Sequence, residues 1–193
     1  MPRVKLFDEN EILKKSMELF WKKGYSATSV QDMVTHLGIN RGSMYGTFGD
    51  KKNLLNKSLA LYCSINQEAT LEFLKHEKSV KDGLKKLFGI FIENSISDRD
   101  QKGCFVVNTT TELNPSDKDI NKVLLQNKDA LEKMFYDFLK LGQDRGEIPK
   151  DKDIQAISSL IYTLFSGIRV VVRLEPNDKK LLSSMNAVLS ILD

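Results

Sequence analysis

The chain has 193 residues, 41% of them hydrophobic and 28% charged, with 11 Gly and 4 Pro. This length and composition allow one or two domains with a real hydrophobic core and exclude a disordered, collagen-like or low-complexity chain. The net charge of +3 lies in residues 1–55, which hold nine basic and six acidic residues, so a slightly basic segment, as expected of a phosphate-facing module, precedes a neutral remainder.

Cysteine usage and hydropathy indicate a reducing, aqueous compartment. Cys63 and Cys104 are too few for a disulfide framework and lack the spacing of a zinc site, so we expect reduced thiols. No secretory signal is recognised, and no run approaches the ~18 apolar residues of a membrane span. We therefore expect a cytoplasmic protein with no membrane partner. In the absence of a glycine-rich phosphate loop or a metal-ligand cluster, no cofactor and no metal are expected.

The first predicted element is a helix from Asp8 to Lys23. Ile12, Leu19 and Phe20 recur at helical spacing and form one apolar face, and Gly24 ends the helix. This pattern is typical of an amphipathic helix whose inner face joins a core.

Two shorter helices follow, separated by a tight turn. Either Thr28 or Ser29 caps the second helix, and Gly38 makes the turn after it. Asn40 caps the short third helix. Residues 28–55 thus have the spacing of a helix-turn-helix followed by another helix.

The third helix has the composition of a DNA-reading element. In a helix-turn-helix the second helix enters the major groove, so its start must carry small, polar and basic residues. The stretch Asn40-Arg41-Gly42-Ser43 meets this requirement. DNA binding is therefore the leading functional hypothesis.

The remaining sequence is also helical. Asp50 is placed to cap a long fourth helix that reaches about Leu74 without Pro or Gly. Further helical segments are predicted at 80–97, at 104–113, after a cap at Asn114-Pro115-Ser116, at 151–174 and at the C-terminus. We predict an all-α fold of about nine helices with no strand.

Several residues of the N-terminal quarter fall at fixed spacings that coincide with one family pattern. They are Gly24-Tyr25, Thr28-Ser29-Val30, Leu37-Gly38-Ile39, Gly42-Ser43-Met44-Tyr45, Phe48 and Asp50-Lys51. With these residues the segment resembles the tetracycline-repressor (TetR/AcrR) family of bacterial one-component regulators. The resemblance implies a helix-turn-helix DNA-binding domain at 1–55 and an all-helical ligand-binding and dimerisation domain at 56–193.

The same resemblance implies which residues contact double-stranded DNA. They are Thr28, Arg41, Gly42, Ser43, Tyr45, Thr47 and Lys51. Arg41 and Ser43 would reach base edges or nearby phosphates, whereas contacts such as those of Thr28 and Lys51 position the backbone. Gly46 departs from the family, because many relatives have an aromatic residue there, so base readout at this point is weaker or left to the backbone.

Three apolar residues of this segment have an alternative interpretation. Tyr25, Met44 and Phe48 are interpreted as core residues and not as DNA contacts, while Lys22, Lys23 and Lys52 have the usual exposure of surface lysines.

An unknown small-molecule inducer is expected to bind the second domain. The candidate cavity residues are Phe88, Phe91, Cys104, Phe105, Asn108, Phe138, Tyr162 and Phe165. The aromatic residues would fill a solid core equally well. Thr109, Thr111 and Glu112 are polar residues in an otherwise apolar stretch, and either a ligand or solvent on the outer helix surface accounts for them.

The last two predicted helices form the best candidate homodimer surface. Their apolar stripes are broader than an isolated hairpin can bury, and two such hairpins make a four-helix bundle. The predicted interface residues are Ile157, Ile161, Leu164, Ile168, Leu181, Met185, Val188 and Leu192.

These expectations combine into a ligand-responsive transcriptional repressor that binds palindromic operator DNA as a homodimer. Binding of the inducer moves the long fourth helix and thereby changes the separation of the DNA-reading helices. One alternative is a redox or electrophile sensor switched through Cys104, although the interpretation of Cys104 as a small buried hydrophobic residue is favoured. The other is an all-α enzyme, which has little support because neither His36 nor His76 has an evident nucleophile partner, so no catalytic residue is predicted.

Overall fold

The computed structural model describes residues 7–113 and 117–193. Across these residues the chain forms nine α-helices, one short 3-10 helix and no β-strand, which confirms the predicted all-α fold. The helices are α1 (Glu9–Lys23), α2 (Val30–Leu37), α3 (Arg41–Phe48), α4 (Lys51–Lys75), α5 (Val80–Ser97), α6 (Phe105–Glu112), α7 (Lys118–Arg145), α8 (Ile154–Leu174) and α9 (Asp178–Leu189), and the 3-10 helix is Ser190–Leu192. The predicted cap at Asn114-Pro115-Ser116 lies outside the described residues.

Side-chain caps set the ends of the short helices. Ser29 caps α2 in a capping box: its hydroxyl accepts the Asp32 N–H at 3.0 Å and the Asp32 carboxylate accepts the Ser29 N–H at 2.7 Å. Gly38 takes the left-handed conformation, φ 68°, that closes α2. Asn40 then caps α3 by accepting the Ser43 N–H at 2.8 Å.

The described chain divides into two compact units. Unit 1 contains the residues up to Ile65 and the stretch Cys104–Leu124, and unit 2 contains Asn66–Gly103 and Leu125–Asp193. Helices α4 and α7 each contribute residues to both units. The functional boundary predicted after residue 55 stays a prediction, but the compact units do not follow it, because α6 packs with the helix-turn-helix.

The core of unit 1 is built by the inward faces of α1 to α4 together with α6. Phe20, Met33, Met44, Phe48 and Phe105 are each at most 2% exposed. Met44 and Phe48 are thus core residues, as their spacing on α3 predicts. Because the core holds one whole face of α3, the opposite face must point to solvent.

The core of unit 2 is centred on an aromatic cluster. The Phe165 ring lies 4.5 Å from Phe91, 5.7 Å from Phe88 and 6.0 Å from Phe135, measured between ring centroids. These separations are typical of packed aromatic pairs. Helix α5 packs against both α8 and α9.

Helix α8 corrects the expectation that no segment approaches the length of a membrane span. By length and composition it is the one helix, within the part of the chain that the structure describes, that could cross a membrane. Its Ile157, Ile161, Phe165 and Ile168 are buried in the core of unit 2. Packing inside the protein therefore accounts for the apolar character of its inner face.

Candidate nucleic-acid interface

The outer face of α3 is a polar, solvent-exposed surface. Arg41, Gly42 and Tyr45 are exposed, and Ser43 and Thr47 are half-buried beside them. All five were predicted DNA contacts, and the structure places them on a single short helix, around the buried stripe of Met44 and Phe48. Since the core holds the other face, these side chains are presented to solvent on a rigid support.

Arg41 and Tyr45 are neighbours one helical turn apart. The Arg41 guanidinium carbon lies 5.8 Å from the centroid of the Tyr45 ring, which is within the range of a cation–π contact. The ring limits the freedom of the guanidinium without using its five N–H donors. Those donors can reach a phosphate or the O6 and N7 atoms of guanine.

Lys51 is held at the first turn of α4. Its Nζ lies 4.2 Å from the centroid of the Tyr25 ring. Partial burial lowers the pKa of Lys51, while the carboxylates of Glu112 and Asp32 act in the opposite direction. A cation that has already lost part of its hydration is well suited to bind phosphate.

Thr28 is corrected as a DNA contact. Its side chain is fully buried, its hydroxyl donates to the carbonyl oxygen of Gly24 at 2.5 Å, and its backbone N–H donates to the Tyr25 carbonyl oxygen at 3.2 Å. Both hydrogen-bond donors of Thr28 are therefore engaged within the protein and do not face a phosphate. Exposed Ser29, not Thr28, stands at the start of α2.

Two of the neighbouring lysines are held by carboxylates. Lys23 pairs with Asp32 at 2.7 Å, and Lys52 pairs with Asp117 at 2.8 Å. The hydrogen bond to Asp117 is the main reason why the pKa of Lys52 is raised. These two side chains are thus available to DNA only in competition with their present partners.

The Lys23–Asp32–Ser29 contacts predict how stability depends on pH. Hydrogen bonds from Lys23 and then Ser29 hold the pKa of Asp32 well below its ordinary value of 3.8. A depressed carboxylate pKa means that the stabilisation is complete above pH 3.8 and is lost as the pH falls through the folded-state pKa. Urea unfolding should therefore show Asp32→Asn to be less stable than wild type at neutral pH, with the difference vanishing in acid. A difference that persists unchanged in strong acid contradicts this assignment.

Gly46 offers a second prediction. It lies inside α3, is exposed, and a Cβ built on it meets no atom within 4 Å. Because Gly in a helix interior costs about 0.5–1 kcal/mol relative to Ala, Gly46→Ala should raise the free energy of unfolding by that amount. Gly49 has φ +83°, so Gly49→Ala is the matched variant and should lower stability. Thermal unfolding of both variants checks the prediction, and a loss of stability in Gly46→Ala contradicts it.

The predicted ligand residues are divided between the two units. Cys104, Phe105 and Asn108 belong to unit 1, whereas the other five belong to unit 2. That all eight line one cavity stays a prediction, while Phe88 and Phe91 each pack on Phe165 in the core of unit 2.

A cavity of about 260 Å³ is present elsewhere in unit 2. Its lining residues come from α4 and α7: Leu71, Leu74, Lys75, Ala130, Lys133, Met134, Asp137, Phe138 and Leu141. Of the predicted ligand residues, it includes Phe138. Its walls are mainly apolar, and its charged rim pairs Lys133 with Asp137 at 2.6 Å.

Cys104 lies at the N-cap of α6. Its Sγ accepts the Val107 N–H at 3.5 Å and the residue is 3% exposed. Neither Cys104 nor Cys63 forms a disulfide, and both are buried. Burial favours the interpretation of Cys104 as a structural residue, because reactive cysteines are partially exposed.

The predicted dimer residues are also corrected. Ile157, Ile161, Ile168, Leu181, Met185 and Leu192 are at most 8% exposed within a single chain. Leu164 and Val188 are half-buried. The apolar stripes of α8 and α9 pack on α5 of the same chain, so these six residues are not available to a partner.

Sequence reasoning missed the role of one residue beside the interface. Glu112 was considered only as a residue facing ligand or solvent. In the structure its carboxylate accepts the backbone N–H groups of Tyr25 at 2.9 Å and Ser26 at 2.7 Å. No local periodicity signals a contact between residues so far apart in sequence.

Together, the packed helix-turn-helix and its polar, exposed α3 define a DNA-binding transcriptional regulator. Residues 12–57 match the family profile described as bacterial regulatory proteins, tetR family, and residues 81–188 match the tetracyclin repressor-like, C-terminal domain. The chain belongs to the tetR family of bacterial regulatory proteins, as the sequence resemblance indicated.

Similar proteins extend over the whole chain. An uncharacterized HTH-type transcriptional regulator, YezE of Bacillus subtilis, is 30% identical over 100% of both chains. The HTH-type transcriptional repressor ComR of Escherichia coli is 32% identical over 98% of this chain and 90% of its own. Among solved structures, a cysteine mutant of the TetR family regulator CifR complexed with 26bp double-strand operator DNA has a TM-score of 0.86 at 22% identity, covering 99% of this chain and 100% of that chain.

Proposed function

We propose that the protein is a transcriptional repressor that binds palindromic operator DNA as a homodimer and is released by a small-molecule inducer. The observation that carries the proposal is the exposed face of α3, where Arg41 and Tyr45 stand over a core that fixes the helix. Such a protein acts in the cytoplasm and catalyses no reaction. The name of ComR and the operator complex of CifR support repression through operator binding.

The contacts with DNA follow from the exposure of each residue. Arg41 and Ser43 approach base edges or nearby phosphates, and Tyr45, Thr47 and Lys51 bind the phosphate backbone. Gly42 and Gly46 carry no side chain and permit close approach of the α3 backbone to the groove. The backbone contacts set the register of the protein, and Arg41 supplies most of the discrimination between bases.

Homodimerisation doubles the length of DNA that is read. One helix-turn-helix contacts few base pairs, so two copies on half-sites about 34–36 Å apart, or a multiple of that distance, are needed for specificity. A palindromic operator then matches the twofold symmetry of the protein.

The exposed side of α8 supplies the dimer surface in place of the buried residues named above. Its members are Leu160, Leu164, Gly167, Val171 and Leu174, which follow one another at steps of four and three residues. Leu160, Val171 and Leu174 are 38%, 43% and 81% exposed. This spacing is that of a helix seam that packs against a second helix, and Gly167 at its centre permits close approach.

The inducer binds in the α4–α7 cavity of unit 2. Its volume of about 260 Å³ is slightly below the range of about 300–1,000 Å³ for drug-sized ligands, so a compact, largely apolar molecule fits best. Leu71, Leu74 and Lys75 at the end of α4 line this cavity, and Lys51 begins the same helix. Occupancy that shifts α4 therefore moves a residue that contacts phosphate, and operator affinity falls.

A fluorescent probe tests the cavity without knowledge of the inducer. N-phenyl-1-naphthylamine should bind to the wild-type protein with enhanced fluorescence. Ala130→Trp fills the cavity from α7 and should abolish the enhancement, whereas Lys85→Ala on the exposed surface should not. Equal fluorescence of the wild type and Ala130→Trp overturns the assignment of the cavity.

Selection of genomic fragments tests operator binding. Fragments retained by the purified protein should contain a shared inverted repeat, and fragments retained by Arg41→Ala should show it more weakly, with the preference lost at the position that Arg41 reads. If the wild-type protein enriches no sequence, the proposed function is wrong.

A further inference from the structure

The last residue of α6 holds the turn between α1 and α2. The Glu112 carboxylate accepts two backbone N–H groups, from Tyr25 at 2.9 Å and Ser26 at 2.7 Å, across 87 and 86 residues of sequence. Gly24 lies against the same carboxylate, because a Cβ on Gly24 would meet its Oε2 at 3.1 Å. The turn is therefore shaped around this side chain.

Glu112 also acts on Lys51. Burial raises the pKa of Glu112, but the N–H groups of Ser26 and Tyr25 and the charge of Lys51 outweigh it, so the net shift is downward. The Lys51 ammonium in turn lies over the ring of Tyr25, whose N–H the carboxylate binds. Glu112, Tyr25 and Lys51 thus form one arrangement that joins α6 to the α1–α2 turn and to the start of α4.

We propose that Glu112 is a positioning residue for DNA binding, through which α6 sets the α1–α2 turn and the Lys51 ammonium. The proposal rests on the proposed operator binding of α3 and Lys51. It goes beyond the coupling through α4, because it assigns the ordering of the α1–α2 turn and of Lys51 to one side chain of α6. Glu112 itself does not touch DNA in this proposal.

The direction of the change in DNA affinity distinguishes a positioning role of Glu112 from a purely electrostatic one. Removal of a negative charge near a phosphate-binding surface raises DNA affinity by electrostatics alone. Loss of a carboxylate that orders the turn and Lys51 lowers it. Glu112→Ala is expected to weaken operator binding about tenfold, since hydrogen bonds to charged groups are the stronger kind.

Three variants and one free-protein measurement test the proposal. Glu112→Ala removes the acceptor, Glu112→Gln keeps one acceptor oxygen, and Glu11→Gln removes an equivalent exposed charge on α1, where Glu11 pairs with Lys15. Operator affinity should fall most in Glu112→Ala, less in Glu112→Gln, and not at all in Glu11→Gln. Amide hydrogen exchange without DNA should accelerate at Tyr25 and Ser26 in Glu112→Ala.

Each outcome decides the proposal. Affinity in Glu112→Ala that equals or exceeds that of the wild type overturns it. Loss of amide protection throughout α1 to α3 also overturns it, because Glu112 is then merely structural. If the wild type binds no duplex, the proposed function fails and the inference with it, whereas a wild type that binds while Glu112→Ala binds equally well refutes the inference alone.

Discussion

Arg41→Ala is expected to cost about 1–3 kcal/mol of binding free energy at each half-site and to relax base preference at the position it reads. The guanidinium stands exposed beside Tyr45, and removal of its side chain leaves the buried face of α3 intact. Titration of the selected operator and of single-base variants measures both effects. Unchanged affinity and unchanged preference would exclude Arg41 from the interface.

Lys51→Ala is the matched variant for a contact to the phosphate backbone of DNA. It should weaken binding by a similar factor on every sequence, and the slope of log affinity against log salt should become shallower by about one for each protomer. Lys85→Ala, an exposed lysine of α5, is the control and should leave the slope unaltered. A steep slope retained in Lys51→Ala contradicts the phosphate contact.

Val171→Glu is expected to convert the dimer to monomers. Val171 is 43% exposed in the single chain, so the substitution is tolerated by the fold but places two like charges in the α8 seam. Two linked DNA-binding domains bind an operator about 10²- to 10⁴-fold more tightly than one, so operator affinity should fall by a factor in that range. Sedimentation equilibrium and operator titration measure the two effects.

Leu125→Glu is the control for this variant. Leu125 is 50% exposed on α7, outside the seam, and its substitution should leave both the oligomeric state and the affinity unchanged. A Val171→Glu protein that sediments as the wild-type dimer refutes the α8 surface.

The helices and their caps were predictable because the signals are local. The capping residues Asn40 and Asp50, the left-handed Gly38 and the three- and four-residue apolar spacing all act within a turn or two of the chain. The exposed tip of α3 followed from the same periodicity, since Met44 and Phe48 fix its buried face.

The partners of each apolar face were not predictable from the same signals. The same three- and four-residue period describes a stripe that packs within its own chain and one that packs on a partner, and the stripe predicted for the dimer is buried against α5 of the same chain. Thr28 was assigned to DNA from the family resemblance, and nothing local in the sequence shows that its buried hydroxyl donates to the Gly24 carbonyl oxygen.

Contacts between residues far apart in the chain were not predictable from any local sequence pattern. Glu112 meets Tyr25 only because α6 packs with the helix-turn-helix, and its sequence context favours a solvent-facing helix equally well. The ligand residues were divided for the same reason, since α6 was assumed to belong with the rest of the second domain.

Because unit 1 is made of two separate stretches of sequence, its helix-turn-helix domain cannot be exchanged as one continuous N-terminal segment. Phe105, Val106 and Ile120 are buried in the same core as Leu54, Leu55 and Leu59. A graft that ended at residue 57, where the first family profile stops, would strip this cover from α4. Chimeras that exchange operator specificity between relatives should therefore carry the segment 104–124 along with the first 65 residues.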